Sequence, residues 1–219
     1  TFSPEHIKGF PLCYFTDDTG KAIYLTGSHV WDNLQDWGGK TPRFSFTAYL
    51  KFLTDSNHNF IRLWKVGEST KKGAETLIVP MPWERVESRM GNDGQGRFDV
   101  TKFNEAYFER LRSRVVEAGR SGIYVSVMLF DGIFNWATHP FNPANNVNGI
   151  DGKDDAFFTL ENQNVLEHQK KYVRKIVDTL NDLDNVLYEI GNEIGGHSVA
   201  WQYHMIEYIR DLEKGKFKR

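Results

Sequence analysis

The sequence is poor in cysteine, in long apolar runs and in charge of one sign. Cys13 is the only cysteine among 219 residues, so no disulfide forms within the chain, which excludes a disulfide-stapled scaffold but not secretion. No apolar run reaches the length of a membrane helix, and no signal peptide is visible. The net charge is -2 with scattered Lys and Arg. We therefore expect neither nucleic acid nor a membrane as partner.

Several motifs of catalytic sites are also missing. The chain has no HExxH, no His/Cys cluster at zinc spacing and no GxSxG. The segment GNDGQG (91–96) lacks the ligand spacing of an EF-hand and is interpreted as a turn. We therefore predict no metal and no cofactor.

What the chain does have is an alternation of apolar strands with amphipathic helices. A hairpin pattern covers 11–26 around Asp17-Asp18-Thr19-Gly20 and leads into the first strand. The first predicted strand ends in GSHVWDN (27–33). The next three predicted strands are NFIRLW (59–64), IYVSVMLF (123–130) and NVLYEIGNE (185–193). The predicted helices start at Ser45 and at Asp99, and run over about 162–183 and 198–213.

This order predicts an α/β fold with a parallel sheet. Long segments follow the strands and short connections follow the helices, as in a (β/α)₈ TIM barrel, whose functional loops lie at the carboxyl ends of the strands. We predict one barrel domain over 1–219 with about four β/α units. A doubly wound open sheet is the alternative, but GSHVWDN is not the Gly-rich phosphate loop that such folds carry after the first strand.

Glu193 follows the fourth predicted strand, at the face where barrel enzymes keep their catalytic groups. Glycosidic bond cleavage needs one carboxylic acid to protonate the leaving oxygen and a second carboxylate to attack or to activate water. The adjacent Asn192 is placed to hold a sugar hydroxyl. The alternative is that Glu193 only caps the following helix.

Arg62 lies inside the second predicted strand, where a buried guanidinium needs a carboxylate partner. Two roles follow from this. Arg62 orients a nucleophilic carboxylate, or it bridges barrel strands as a structural residue.

Further candidates for substrate binding lie at or after the predicted strand ends. Indole rings stack on the apolar faces of sugars, and carboxylates and imidazoles bond to sugar hydroxyls, although such residues also serve in packing. The candidates are Trp31, Trp64, Trp136, His29, Asp32 and Asp131, with His139 and Asn142 as weaker ones.

The motifs LYEIGNE (187–193) and FIRLW (60–64) resemble those of the clan A glycoside hydrolases, barrel enzymes that include cellulases, mannanases and β-galactosidases. The segment from Arg97 to Gly132 also resembles a helix and third strand of cellulase-like members, and the resemblance extends over about 24–212. It implies that Glu193 is the acid/base, that Asn192 contacts the sugar 2-hydroxyl, and that Arg62 lies beside the nucleophile. A carbohydrate substrate and an extracellular or periplasmic location are further implications.

The family places its nucleophile, a Glu, at the end of the seventh strand, whereas this sequence carries four strand–helix units. We therefore expect a longer polypeptide that contains the remaining barrel, or completion by a second chain. The leading interpretation is a retaining glycoside hydrolase of β-linked saccharides. One alternative is a non-catalytic carbohydrate-binding or assembly protein. Another is an unrelated barrel enzyme such as an aldolase, but the sequence shows neither a Schiff-base lysine nor a phosphate-binding loop that would support it.

Overall fold

The computed structural model describes residues 2–7, 10–16, 19–38, 44–71, 76–153 and 156–216. Its strands are β1 (Phe2–Ile7), β2 (Phe10–Thr16), β3 (Ala22–Ile23), β4 (Gly27–Ser28), β5 (Asp36–Trp37), β6 (Phe60–Leu63), β7 (Ile78–Val79), β8 (Trp83–Met90), β9 (Gly96–Phe103), β10 (Tyr124–Asp131) and β11 (Val186–Asn192). Its α-helices are α1 (Phe46–Asp55), α2 (Glu105–Arg120), α3 (Gln163–Leu180) and α4 (Val199–Lys216).

The centre of the fold is a parallel sheet. Within the described residues it has four strands in the order β11-β10-β6-β4, so each strand neighbours the one before it in the alternation. All three pairings are parallel. Helices connect successive strands, as parallel pairing requires. The prediction of an α/β fold with a parallel sheet is confirmed, and the strand order is consistent with part of a barrel.

The helices pack with the apolar faces that the sequence predicts. On α2 the buried face includes Phe108, Leu111, Val115 and Ala118, at spacings of three and four residues. On α4, Trp201 and Met205 are buried. The side chains of Ser45 and Asn162 cap the amino ends of α1 and α3 by accepting backbone N–H groups of their first turns.

The predicted start of the second helix at Asp99 is wrong. Asp99 lies in β9, and α2 begins at Glu105 after the cap Asn104. The Asp99 carboxylate accepts from the backbone N–H and the hydroxyl of Thr101, at 3.1 and 2.6 Å. A short polar side chain that bonds two residues ahead in this way stabilises extended backbone as readily as a helix start. β9 pairs antiparallel with β8, in a hairpin that the sequence analysis did not predict.

The turn of this hairpin is GNDGQG, so its interpretation as a turn is confirmed. Nearer the amino terminus, β2 pairs antiparallel with β1 and β3. Asp17 and Asp18 of the hairpin pattern lie outside the described residues.

The inner strand β10 and the edge strand β11 differ in burial. Seven of the eight β10 residues are buried, whereas every β11 residue is partly exposed. Among the described strands, β11 pairs only with β10, so its other edge is open. None of the helices in the described segments combines the length and the apolar character needed to cross a membrane.

Candidate functional site

Polar and aromatic side chains gather where the parallel strands end. Asp131 and Asn192 are the last residues of β10 and β11 and lie opposite each other in the parallel register. Trp64 directly follows β6, and His29 directly follows β4. Because the carboxyl ends of parallel strands lie at the same edge of the sheet, the topology brings residues that are distant in sequence close together.

An ion pair between Arg62 and Glu189 connects β6 to β11. Arg62 Nε donates to Glu189 Oε2 at 2.5 Å, and Arg62 Nη2 donates to the other carboxylate oxygen, Oε1. Nη2 also donates to Asn192 Oδ1 at 3.0 Å. Both charged side chains are 24% exposed, so the pair is mostly shielded from water. The hydrogen bonds to Glu189 raise the pKa of Arg62, which keeps the guanidinium charged.

Glu193 follows Asn192 and is exposed to solvent. Its backbone has φ +50°, in the left-handed region that side-chain-bearing residues seldom adopt. The charge of Glu193, like that of Asp131, contributes to the raised pKa of Arg62, so the carboxylate lies within electrostatic reach of the guanidinium. A solvent-exposed carboxyl group beside a fixed amide is free to exchange a proton with a ligand.

The Trp64 ring lies within the site rather than at its surface. It is 8% exposed and is contacted by the His29 ring at a centroid distance of 5.1 Å and by the Arg62 guanidinium at 4.8 Å. Partial desolvation and the Arg62 charge lower the pKa of His29, against the opposing charge of Glu189. His29 is therefore favoured as the neutral imidazole, which both donates and accepts hydrogen bonds.

Asp131 is 3% exposed, and its Oδ1 accepts the backbone N–H of Ile133 at 3.1 Å. Burial raises the pKa of Asp131, while that hydrogen bond and the charges of Lys65 and Lys71 oppose the rise. Lys65 is itself buried, and burial lowers its pKa to about 8 against the charges of Asp131 and Glu68. These side chains form a group of interacting charges behind the strand ends.

Trp31 and Asp32 lie in the turn after β4. Trp31 is 58% exposed, and its ring stacks on Trp37 with centroids 6.3 Å apart and an interplanar angle of 12°. Asp32 is partly buried. A flat indole held by a second indole and open to solvent is suited to stacking against a ligand ring.

Trp136 belongs to a separate aromatic group. Its ring stacks on His139 at 5.2 Å and also contacts Phe134 and Phe157. His139 is buried, and burial holds its pKa well below the usual value. Asn142 donates to the backbone carbonyl of Trp136 at 3.1 Å. These contacts order the long loop after β10.

The contacts therefore join only some of the predicted residues directly. The connected group is Arg62, Asn192, Trp64 and His29, with Glu193 and Asp131 adjacent to it. The sequence analysis missed Glu189 and Lys65. Glu189 was detectable as a charged residue inside an apolar strand, as was Lys65 as a charged residue directly after one. Within the described segments, no group of three or more His, Cys, Asp or Glu residues is placed to hold a metal ion.

Solved structures of glycoside hydrolases share this fold. A putative glycoside hydrolase from Bacteroides vulgatus matches 97% of the chain with a TM-score of 0.61 and 18% identity. An exo-β-1,4-mannosidase from an Opitutaceae bacterium matches 91% of the chain with a TM-score of 0.60 and 16% identity. An endo-1,4-β-mannanase from Rhizomucor miehei matches 92% of the chain with a TM-score of 0.57 and 15% identity. The chain spans 36%, 32% and 56% of the respective lengths of those proteins. At these identities the likeness shows the fold, that of barrel glycosidases over part of their length.

Residues 77–219 match a family described as a domain of unknown function, DUF6298. Because the match covers more than half of the sequence, the chain belongs to the DUF6298 family. The sequence matches no curated protein.

Proposed function

We propose that this chain carries the acid/base half of a retaining glycoside hydrolase that cleaves β-glycosidic bonds. The observation that carries the proposal is the Asn192–Glu193 pair at the carboxyl end of β11, with Asn192 held by Arg62. Glu193 is the general acid/base, and Asn192 positions a sugar hydroxyl next to the bond that breaks. The similarity of the fold to glycoside hydrolases supports this reaction class.

In the first step the Glu193 carboxyl gives its proton to the glycosidic oxygen, and the aglycone leaves as an alcohol. A second carboxylate, about 5 Å away in retaining enzymes, forms the bond to the sugar. In the second step Glu193 takes a proton from the water that releases the sugar. Glu189 is not the second carboxylate of this proposal, because it lies inside β11, three residues before the strand ends, and not at the end of a separate strand. The nucleophile is a Glu outside residues 1–219.

The open edge of the sheet supports a barrel that is completed by further β/α units. β11 has an unpaired edge among the described strands, and a sheet edge of this kind is usually paired or covered. On α4, Val199, Tyr203 and Ile206 are exposed apolar residues spaced four and three apart, on one side of the helix. We propose that a further β/α unit of the same polypeptide covers both, with a second chain as the alternative.

The substrate side of the site is proposed to include the exposed Trp31 as a stacking platform, with His29, Asp32 and Asp131 as polar neighbours. Trp64 supports His29 and Arg62 from behind. Trp136 shapes the loop after β10. The substrate is proposed to be an oligo- or polysaccharide, encountered outside the cytoplasm.

The test is Glu193→Gln in the intact polypeptide, assayed on β-1,4-linked gluco- and manno-oligosaccharides. Gln keeps the size of the side chain but cannot donate the proton, so hydrolysis should fall by about 10²- to 10⁴-fold. Glu109→Gln, on an exposed position of α2, is the matched control and should retain full activity.

Equal turnover by the Glu193 variant and the wild type would refute the assignment. Binding of these oligosaccharides by a wild-type protein that hydrolyses none of them would instead favour a carbohydrate-binding role. The mass of the intact polypeptide distinguishes a complete barrel in one chain from a barrel shared between chains.

A further inference from the structure

The backbone at Glu193 is held in a conformation that its side chain disfavours. Its φ of +50° lies in the left-handed region, where the Cβ of an L-residue crowds the backbone. Such a conformation persists only where neighbouring structure enforces it, and it is concentrated at functional sites. The turn after β10 packs against this backbone.

Gly132 lies against the Asn192–Glu193 backbone. Its N–H donates to the Asn192 carbonyl oxygen at 2.7 Å. A Cβ at position 132 would lie 2.6 Å from the Glu193 carbonyl oxygen and 2.7 Å from that of Asn192. Those contacts are with backbone atoms, which cannot move aside as a flexible side chain can. Only glycine therefore permits this approach.

Asp131 fixes the turn from its buried side. It is the last residue of β10, opposite Asn192 in the register, and it accepts the N–H of Ile133. The residues on both sides of Gly132 are thus tied by one carboxylate. Gly132 is presented to the end of β11 by a braced turn rather than by a free loop.

We propose that Gly132, braced by Asp131, is a positioning residue for Glu193. The turn holds the end of β11 so that the Glu193 carboxyl faces the bond to be cleaved, whereas a relaxed backbone would direct that side chain elsewhere. This inference rests on the proposed function, because it assigns a role in the reaction that Glu193 performs. Gly132 acts through the backbone and touches no substrate.

The first test measures the backbone conformation without any assay of activity. Glycine tolerates the left-handed region and alanine does not, so Glu193→Gly should melt higher than Glu193→Ala, by about 2 °C or more. The same pair at the exposed Glu109 inside α2 is the matched control, where alanine should melt higher than glycine. An alanine variant at position 193 that melts as high as the glycine variant would overturn the proposal.

The second test compares leaving groups. Gly132→Ala should lower kcat/KM for cellobiose or β-1,4-mannobiose by about 10²-fold, because these need a proton from a correctly placed acid. For the 2,4-dinitrophenyl glucoside or mannoside, whose leaving group departs without that proton, the loss should stay within about threefold. Gly196→Ala, in the segment after β11, is the control, since a Cβ there meets nothing within 4 Å, and it should change neither value.

A general loss of structure in the Gly132 variant would lower kcat/KM equally for the disaccharides and for the dinitrophenyl glycosides. Such an equal loss would overturn the positioning role. Absence of hydrolysis by the wild type would overturn the proposed function. The melting comparison at position 193 still decides the backbone geometry in that case, so the two failures are distinguishable.

Discussion

Arg62 binds Glu189 across an intervening strand. Arg62 lies on β6 and Glu189 on β11, and β10 runs between them in the sheet. Strands two places apart in a sheet are about 9–10 Å apart, a distance that only two long side chains span together. The two-point pairing therefore links β6 to β11 across β10 and fixes the guanidinium that also holds Asn192.

Replacing one residue of this ion pair should destabilise the fold more than replacing both. Glu189→Leu leaves the Arg62 charge shielded and unpaired, so we expect a loss of about 2 kcal/mol in the free energy of unfolding and a fall in activity. The double variant Arg62→Met, Glu189→Leu should recover part of the stability but not the activity, because Asn192 loses its donor. Urea denaturation with a double-mutant cycle measures the coupling. Additive stability effects in that cycle would contradict a tight pair.

Trp31 and Trp64 should respond differently to truncation. Trp31→Ala removes an exposed ring, so stability should change by less than about 1 kcal/mol while oligosaccharide binding weakens by about tenfold. Trp64→Ala opens a cavity under His29 and Arg62 and should cost about 3–5 kcal/mol in stability. Titration calorimetry and denaturation separate the two effects. Phe52→Ala, at another exposed aromatic position, is the control for Trp31. Unchanged binding by the Trp31 variant would argue against a stacking platform.

The buried Lys65 should make stability depend on pH in the alkaline range. Its pKa is about 8 in the folded protein, below the value of about 10.5 expected when unfolded. Between these values the unfolded state binds more protons, so this group makes stability rise with pH. Relative to Lys65→Met, the wild type should gain up to about 3 kcal/mol between pH 8 and pH 10.5. Denaturation curves at several pH values test this.

Lys51→Met, at an exposed position of α1, is the matched control. Its free energy of unfolding should follow the pH dependence of the wild type over the same range. A Lys65→Met variant that also ran parallel would show that Lys65 titrates as it does in the unfolded chain.

Hydrophobic spacing determined most of the helices and strands. Phe108, Leu111 and Val115 predict the buried face of α2, and they lie there because a helix repeats every 3.6 residues whatever surrounds it. Local polar chemistry was less decisive. Asp99 looked like a helix start, but its carboxylate bonds to Thr101 within a strand that pairs with β8. That pairing depends on a partner strand, and spacing within one segment does not encode it.

The sequence by itself determined the alternation of strands and helices, the position of Asn192 and Glu193 at a strand end, and the need of Arg62 for a carboxylate. Only the tertiary structure decided that this carboxylate is Glu189, because the choice depends on strand order and on side-chain reach across β10. It also decided the left-handed backbone of Glu193 and its contact with Gly132, since both arise where β10 and β11 end side by side. Contacts between residues far apart in the chain follow from topology, and composition and periodicity carry no record of them.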